Sequence, residues 1–331
     1  MKAIKIILFV LLCIVLIAAV FFVIIPMTET RSNIEIEGSQ NWMAEIPDEQ
    51  SLEEIYIPGT HDSASKNAQL GYFSKCQSSD IYTQLNDGYR YLDIRLGVRE
   101  TKDGTVLTLY HGFCKCQKGP WPWSALLDLD DVLSSCYTFL EENPTETVVF
   151  AVKMEQGKDE VQFQKLLHEY IDKTPDKWFL SDTIPALGEC RGKLVLMRRY
   201  EDANNLGRSA GIQLFWEDQG GNDDVSLSVA REEQDNYLLL VQDRYKYSAE
   251  DKWNAFKASL KSSSASEKHL LLTFLSTNGT PAYGHPYSYA RDLNKRFLAE
   301  DFTVFTDPFW AVVDFSDALM AQKIYKLNYQ P

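Results

Sequence analysis

Two of the five histidines in this 331-residue chain stand directly after short apolar runs: His61 in Ile57-Pro58-Gly59-Thr60-His61-Asp62-Ser63, and His111 in Leu109-Tyr110-His111-Gly112. Unperturbed imidazole titrates near pH ~6.5, so one ring can accept a proton while a second donates one. Asp62, Asp93 and Asp314 are of the type that orients and charge-tunes such rings. Arg95, two residues after Asp93, offers a planar, permanently charged fork suited to phosphate. Lys153 and Arg199 add positive charge to an otherwise acidic chain. Two imidazoles, carboxylates and a guanidinium suit cleavage of a phosphodiester by an internal hydroxyl. One ring deprotonates the hydroxyl; the other protonates the leaving oxygen. His168, His269 and His285 read as surface or structural residues.

These side chains need a scaffold that brings them together. Eight short apolar, β-branched runs recur at 55–57, 91–95, 106–110, 148–152, 194–197, 238–241, 270–275 and 310–313, with helix-like segments at 130–142, 160–173, 249–262 and 287–300. Runs buried on both faces and alternating with helices predict a parallel sheet. Eight such units predict an α/β fold, an irregular (β/α)8 barrel of TIM type. Only a short charged turn joins the second and third runs, so one helix is expected to be missing there. Seven of the eight runs end in, or run into, a charged or titratable residue: His61 and Asp62, Asp93 and Arg95, His111, Lys153, Arg198 and Arg199, Asp243 with Tyr245, and Asp314. Active sites of such barrels form at that rim. The N-terminal ends of the runs are also of mixed character, so the pattern alone does not separate a site from ordinary loop polarity.

The formal net charge is -14, with 45% hydrophobic and 24% charged residues. That balance fits a folded globular protein and opposes nucleic-acid binding, which needs a positive surface. Residues 6–25 are apolar without a break, preceded by Lys2 and Lys5 and ended by Pro26. At ~1.5 Å rise per residue the run spans roughly 30 Å, a bilayer core. The expected organisation is a signal anchor over 1–25, a stalk over 26–44 and a catalytic domain over 45–331. Positive charge before the run places the domain outside the cytoplasm, as a single-pass membrane protein, or as a secreted one if the segment is a cleaved signal. Cys13 reads as a buried apolar residue of the run. Cys76, Cys114, Cys116, Cys136 and Cys190 would be exported, where disulfides are permitted; five is odd, so at least one thiol stays free or pairs elsewhere. No second Cys/His pair with metal spacing accompanies Cys114 and Cys116.

Taken in order, Ile57 to Ser63, Leu92-Asp93-Ile94-Arg95 and Leu109 to Gly112 resemble the successive motifs of the phosphatidylinositol-specific phospholipase C catalytic domain, the X domain. The resemblance to its bacterial branch continues through Glu142-Asn143-Pro144-Thr145-Glu146-Thr147, Arg191-Gly192-Lys193-Leu194-Val195-Leu196, Arg199-Tyr200, Val241 to Lys246 and Val312-Val313-Asp314, covering roughly 45–331. It implies that His61 is the general base for the inositol 2-hydroxyl, supported by Asp314, and His111 the general acid, partnered by Asp62. Arg95 beside Asp93 is implied as the phosphate clamp, Lys153, Arg199 and Asp243 as inositol-binding residues, and Tyr245 as a ring-stacking platform. The implied products are inositol 1,2-cyclic phosphate and diacylglycerol. The implied partner is a membrane phospholipid, phosphatidylinositol or its glycosylated form, met by a monomer.

In the calcium-dependent branch this region supplies carboxylates, with an Asn after the first His. Here Asp62 follows His61, and Arg95 stands where a ligand would be, so no metal or other cofactor is expected. Departures are Met154, where many relatives carry a second basic residue, and the CKCQKGPWPW stretch over 114–123. Trp121 and Trp123 read as packing under a loop, or else as lipid-facing indoles; Tyr283 lies in a segment similar to a rim loop that touches lipid. Three other functions make different demands on the chain. A membrane-tethered inositol-lipid binding protein without turnover would not need the full set of acid–base residues. A metal-dependent glycerophosphodiester enzyme needs a Glu-x-Asp pair where Asp93-Ile94-Arg95 stands. A ribonuclease is opposed by the negative charge.

Overall fold

Apolar runs with alternating inward and outward side chains form strands here as expected. The computed structural model describes residues 2–25, 34–202, 211–220, 230–234, 237–262, 269–279 and 284–330. Its strands are β1 (Ile57–Thr60), β2 (Tyr91–Thr101), β3 (Gly104–His111), β4 (Cys114–Lys115), β5 (Val148–Gln156), β6 (Trp178–Phe179), β7 (Leu194–Arg199), β8 (Ile212–Gln213), β9 (Ala230–Gln234), β10 (Tyr237–Gln242), β11 (His269–Phe274) and β12 (Trp310–Val313). The sheet runs β6–β7–β5–β2–β1–β12–β11–β10–β9, and β8 also pairs with β7. Every pairing from β6 to β10 is parallel; β9 is antiparallel to β10. Helices Leu129–Glu142, Glu160–Lys173, Ala249–Ser262 and Pro286–Ala299 lie within a residue of the expected bounds.

Two expectations need correction. The third run is not a barrel strand. β3 folds back antiparallel on β2, Thr101 opposite Gly104, because two intervening residues suffice for a hairpin, whereas a parallel crossover needs about a dozen. Its place in the count is taken by the short β8. The cylinder is also not closed by strand pairing among the described residues. No ladder joins β8 to β10; side chains bridge the gap instead, Gln219 Nε2 to the Val241 carbonyl at 3.0 Å and Trp216 Nε1 to Asp243 Oδ2 at 3.2 Å. The architecture is a curled α/β sheet of TIM type, open along one seam.

Period-two alternation sorts the strands into two layers. Leu92, Ile94, Val148, Phe150, Leu194 and Leu196 pack with Val132, Phe139, Phe163 and Leu167 of the first two helices. Tyr91, Val149, Ala151, Val195 and Met197 belong to the other cluster, which fills the inside. The next residues of this inward parity are Asp93 and Arg95, Lys153, and Arg199. β1 approaches β2 closely at Gly59, where a Cβ would lie 2.9 Å from the Tyr91 side chain.

Part of the segment read as a stalk packs onto the domain. Ser39–Glu45 forms a 3-10 helix whose Trp42 and Met43 are buried. Glu146, buried, accepts from the Met43 N–H at 3.1 Å and from Arg90 Nε and Nη2 at 3.0 and 2.8 Å. Arg191 donates to the Met43 and Ile46 carbonyls. These groups sit where the parallel strands begin, away from the rim. Among the described residues, one helix, Lys2–Ala19, is long and apolar enough to cross a membrane by length and composition, and none of its residues is buried.

Candidate active site

Register places the charged residues side by side. Arg95 of β2 pairs with Lys153 of β5, and Lys153 with Arg199 of β7. β1 and β12 are in register up to Thr60 and Val313, so His61 and Asp314 emerge together. Of the ten residues expected at the site, His61, Arg95, His111, Lys153, Arg199, Asp243, Tyr245 and Asp314 line one cavity of about 410 Å³. Asp62 and Asp93, 1% and 0% exposed, support it from behind.

His61 is anchored through its backbone: its N–H donates to the Val313 carbonyl, and its own carbonyl accepts from Gln77 Nε2. Its Nδ1 lies 2.7 Å from Asp314 Oδ1. An ionised carboxylate only accepts, so Nδ1 carries the proton and Nε2 is bare. Arg95 Nη2 donates to that Nε2 at 2.8 Å. The guanidinium is held by Asp93 Oδ2, at 3.1 Å from Nε and 3.0 Å from Nη2, with Asp62 Oδ2 3.4 Å and Glu155 Oε1 3.7 Å from Nη1. Asp93 Oδ1 accepts from Arg199 Nη1 at 2.9 Å. On the other side, His111 Nδ1 lies 2.7 Å from Asp62 Oδ2. The two imidazole centroids are 6.5 Å apart and nearly perpendicular. Asp62 has φ +45°, a left-handed conformation disfavoured for a residue with a Cβ. It is fixed there by its N–H donating to Asp93 Oδ2 and its carbonyl accepting from Ser65.

Comparison with known proteins bears on the chain as a whole. Residues 49–200 fit the family described as phosphatidylinositol-specific phospholipase C, X domain. A 1-phosphatidylinositol phosphodiesterase of Staphylococcus aureus is 29% identical over 275 residues, 78% of this chain and 82% of the relative. One from Listeria monocytogenes is 30% identical over 226 residues, 64% and 65% of the two chains. A solved S. aureus phosphatidylinositol-specific phospholipase C superposes with a TM-score of 0.68 at 25% identity, over 87% of this chain and 97% of its own. The Listeria monocytogenes enzyme gives a TM-score of 0.66 at 24% identity, over 87% and 98%. In sequence and in fold, the chain resembles this family of phospholipases C.

Charge pairing sets the ionisation of this site. Burial works to raise the Asp93 carboxyl, but Arg95 and then Arg199 hold it far below the usual carboxylate range. The same contest, won by Arg95 and His111, lowers Asp62. Burial, the largest influence, opposes a charge on His61, yet the charge and hydrogen bond of Asp314, joined by Asp93, outweigh burial and Arg95 and lift its pKa above the ordinary 6.5. Arg95 is buried but driven further up by Asp93, Asp62 and Glu155. Burial and the hydrogen bond to Asp218 push the Tyr245 hydroxyl up to about 12, so it is a neutral ring.

Several cavity residues were not singled out from sequence: Cys76, Glu155, Trp216 and Asp218. Glu155 was within reach, since it lies two residues beyond Lys153 on the same face of β5; it binds Lys153 Nζ at 2.6 Å and the Gly112 N–H at 3.0 Å. Trp216 lies under Arg199, whose Cζ is 3.9 Å from the ring centroid, and Asp218 accepts from the Tyr245 hydroxyl at 2.7 Å. Both sit in an irregular segment with no periodic signal. Trp121 and Trp123 do not pack under a loop: they stack on each other and are 46% and 79% exposed. The cysteines expected outside, Cys76, Cys114, Cys116, Cys136 and Cys190, are all buried free thiols. His168 and His285 are buried, in keeping with a structural reading. Tyr283 lies outside the described residues.

Proposed function

We propose that the chain cleaves phosphatidylinositol, free or glycosylated, by attack of the inositol 2-hydroxyl on phosphorus, giving inositol 1,2-cyclic phosphate and diacylglycerol. The observation that carries this reading is the guanidinium of Arg95 between two imidazoles, each backed by its own carboxylate. The bare Nε2 of His61 takes the 2-hydroxyl proton, and Asp314 stabilises the imidazolium formed. Arg95 meets the phosphate oxygens, where charge grows in the transition state. His111, oriented by Asp62, delivers a proton to the diacylglycerol oxygen. Lys153, Arg199 and Asp243 take inositol hydroxyls, and the neutral Tyr245 ring stacks on the inositol face.

Arg95, held among Asp93, Asp62 and Glu155, fills the space and the electrostatic role of a divalent cation, so the reaction needs no metal. Residues 1–25 anchor the chain, with the catalytic domain outside the cytoplasm acting as a monomer on lipid in the same membrane. Phe21, just beyond Lys2–Ala19, packs edge-on against Tyr72, whose neighbour Phe73 lines the cavity. This contact favours a mouth facing the bilayer. The test is to measure headgroup affinity and turnover separately for the wild type and His111→Ala. Lost turnover with retained affinity in the variant supports the reading. Full turnover in the variant, or a wild type that binds headgroup and releases no product, overturns it.

A further inference from the structure

Cys76 lines the cavity but has no part in this chemistry. Cys76 is 2% exposed, yet its thiol reaches the cavity between the two His–Asp pairs. Its backbone is fixed at both ends: the N–H donates to Ser65 Oγ at 3.1 Å, and the carbonyl accepts from the Phe315 N–H at 2.6 Å. Sγ lies 3.5 Å from His111 Nδ1. Tetrahedral zinc bonds of ~2.0 Å to nitrogen and ~2.3 Å to sulfur place the two ligand atoms about 3.5 Å apart, so this pair is already at chelating distance. Asp62 Oδ2, 2.7 Å from the same Nδ1, supplies a third ligand, and the ligand atoms of Asp62, Cys76 and His111 all lie within 4.8 Å of one another. His61, Cys76 and Asp314 form a second such set around the same sulfur.

We propose that Cys76, His111 and Asp62 form a binding site for a thiophilic divalent cation of the Zn2+ class, and that its occupancy switches the enzyme off. Thiolate and carboxylate together cancel the ion's charge, and a water completes four-coordination. The thiol gives its proton to solvent, and His111 binds as neutral imidazole through Nδ1. The Asp62–His111 ion pair opens to admit the ion, so the ring can no longer serve as the imidazolium that protonates the leaving oxygen. A hard cation such as Ca2+ or Mg2+ gains little from sulfur and so does not offset the repulsion of Arg95 Nη1, 3.4 Å from Asp62 Oδ2, which every divalent cation meets. The site therefore selects for softness and differs from a metal-cofactor site in both ligand and effect. The loss of turnover rests on the proposed reaction; the binding does not.

The test uses the full chain in detergent, with Co2+ as a spectroscopic stand-in for Zn2+. One equivalent of Co2+ should produce a thiolate-to-cobalt charge-transfer band in the near ultraviolet, bleached by Zn2+. The band should be missing in Cys76→Ser and Cys76→Ala and persist in Cys114→Ser and Cys136→Ser. Zn2+ should inhibit phosphatidylinositol turnover, with Cys76→Ser needing more zinc by at least the roughly 10–100-fold that even an outer-shell partner is worth. No band in the wild type, or a band surviving in both Cys76 variants, overturns the site. Zn2+ binding with unchanged turnover overturns the switch. A wild type with the band but no turnover in the absence of zinc would refute the proposed reaction and leave the site standing.

Discussion

In the proposed reaction, His61 is made a base by its neighbours. Asp314 fixes the tautomer and lifts the pKa, while Arg95 aims at the nitrogen that must take the proton. Since the base works unprotonated and its pKa is raised, the acidic limb of kcat/KM should lie above pH ~6.5. Asp314→Asn should move that limb down and cost less activity than His61→Ala; a limb that stays put contradicts the pairing. His61→Ala and His111→Ala should each lower turnover on phosphatidylinositol by at least about 10²-fold. Asp93 is depressed in the folded state, so its contribution to stability is complete above the unfolded pKa of ~3.9 and is lost as pH falls toward the folded value. Melting temperature should accordingly drop as the protein is acidified below about pH 4, and less steeply in Asp93→Asn. The residue types at strand ends made this chemistry legible from sequence. Cys76 and Asp218 were not, because nothing local in a sequence tells which loop residues will face a cavity built by distant strands.

At the scale of elements, the site follows from parity and register. Inward positions on β2, β5 and β7 run from apolar core to Arg95, Lys153 and Arg199 at one level. A strand's two-residue period shows which side chains share a face, but not which strands are neighbours. That is why the run at 106–110 reads as a barrel strand although β3 folds back on β2. The stretches around Glu146 and Arg191, which carry part of the resemblance, lie away from the rim and clasp the segment around Ser39–Glu45 to the domain through Arg90, Met43 and Ile46. Glu146→Gln should weaken a buried ion pair with no solvent on either side, costing roughly 3–5 kcal/mol in denaturant unfolding. The kcat of the folded fraction should be retained. A stability change below 1 kcal/mol would show that the clasp is not structural.

The whole molecule couples an acidic domain to an apolar N-terminal helix. With a net charge of -14, electrostatic adhesion to anionic lipid is unfavourable, so contact with the membrane must come from apolar groups. If residues 1–25 are retained as an anchor, the chain should stay with membranes through high-salt washing and leave only with detergent. Recovery of soluble chain lacking those residues would identify a cleaved signal instead. The central claim is that two imidazoles and one guanidinium converge on a single phosphodiester and drive internal attack. Phosphorus NMR of the purified chain with phosphatidylinositol vesicles tests it directly, run with and without a chelator. The account predicts a five-membered cyclic phosphodiester as the first product, at the same rate in both samples. A phosphomonoester appearing first, or turnover abolished by the chelator and restored by calcium, would contradict it.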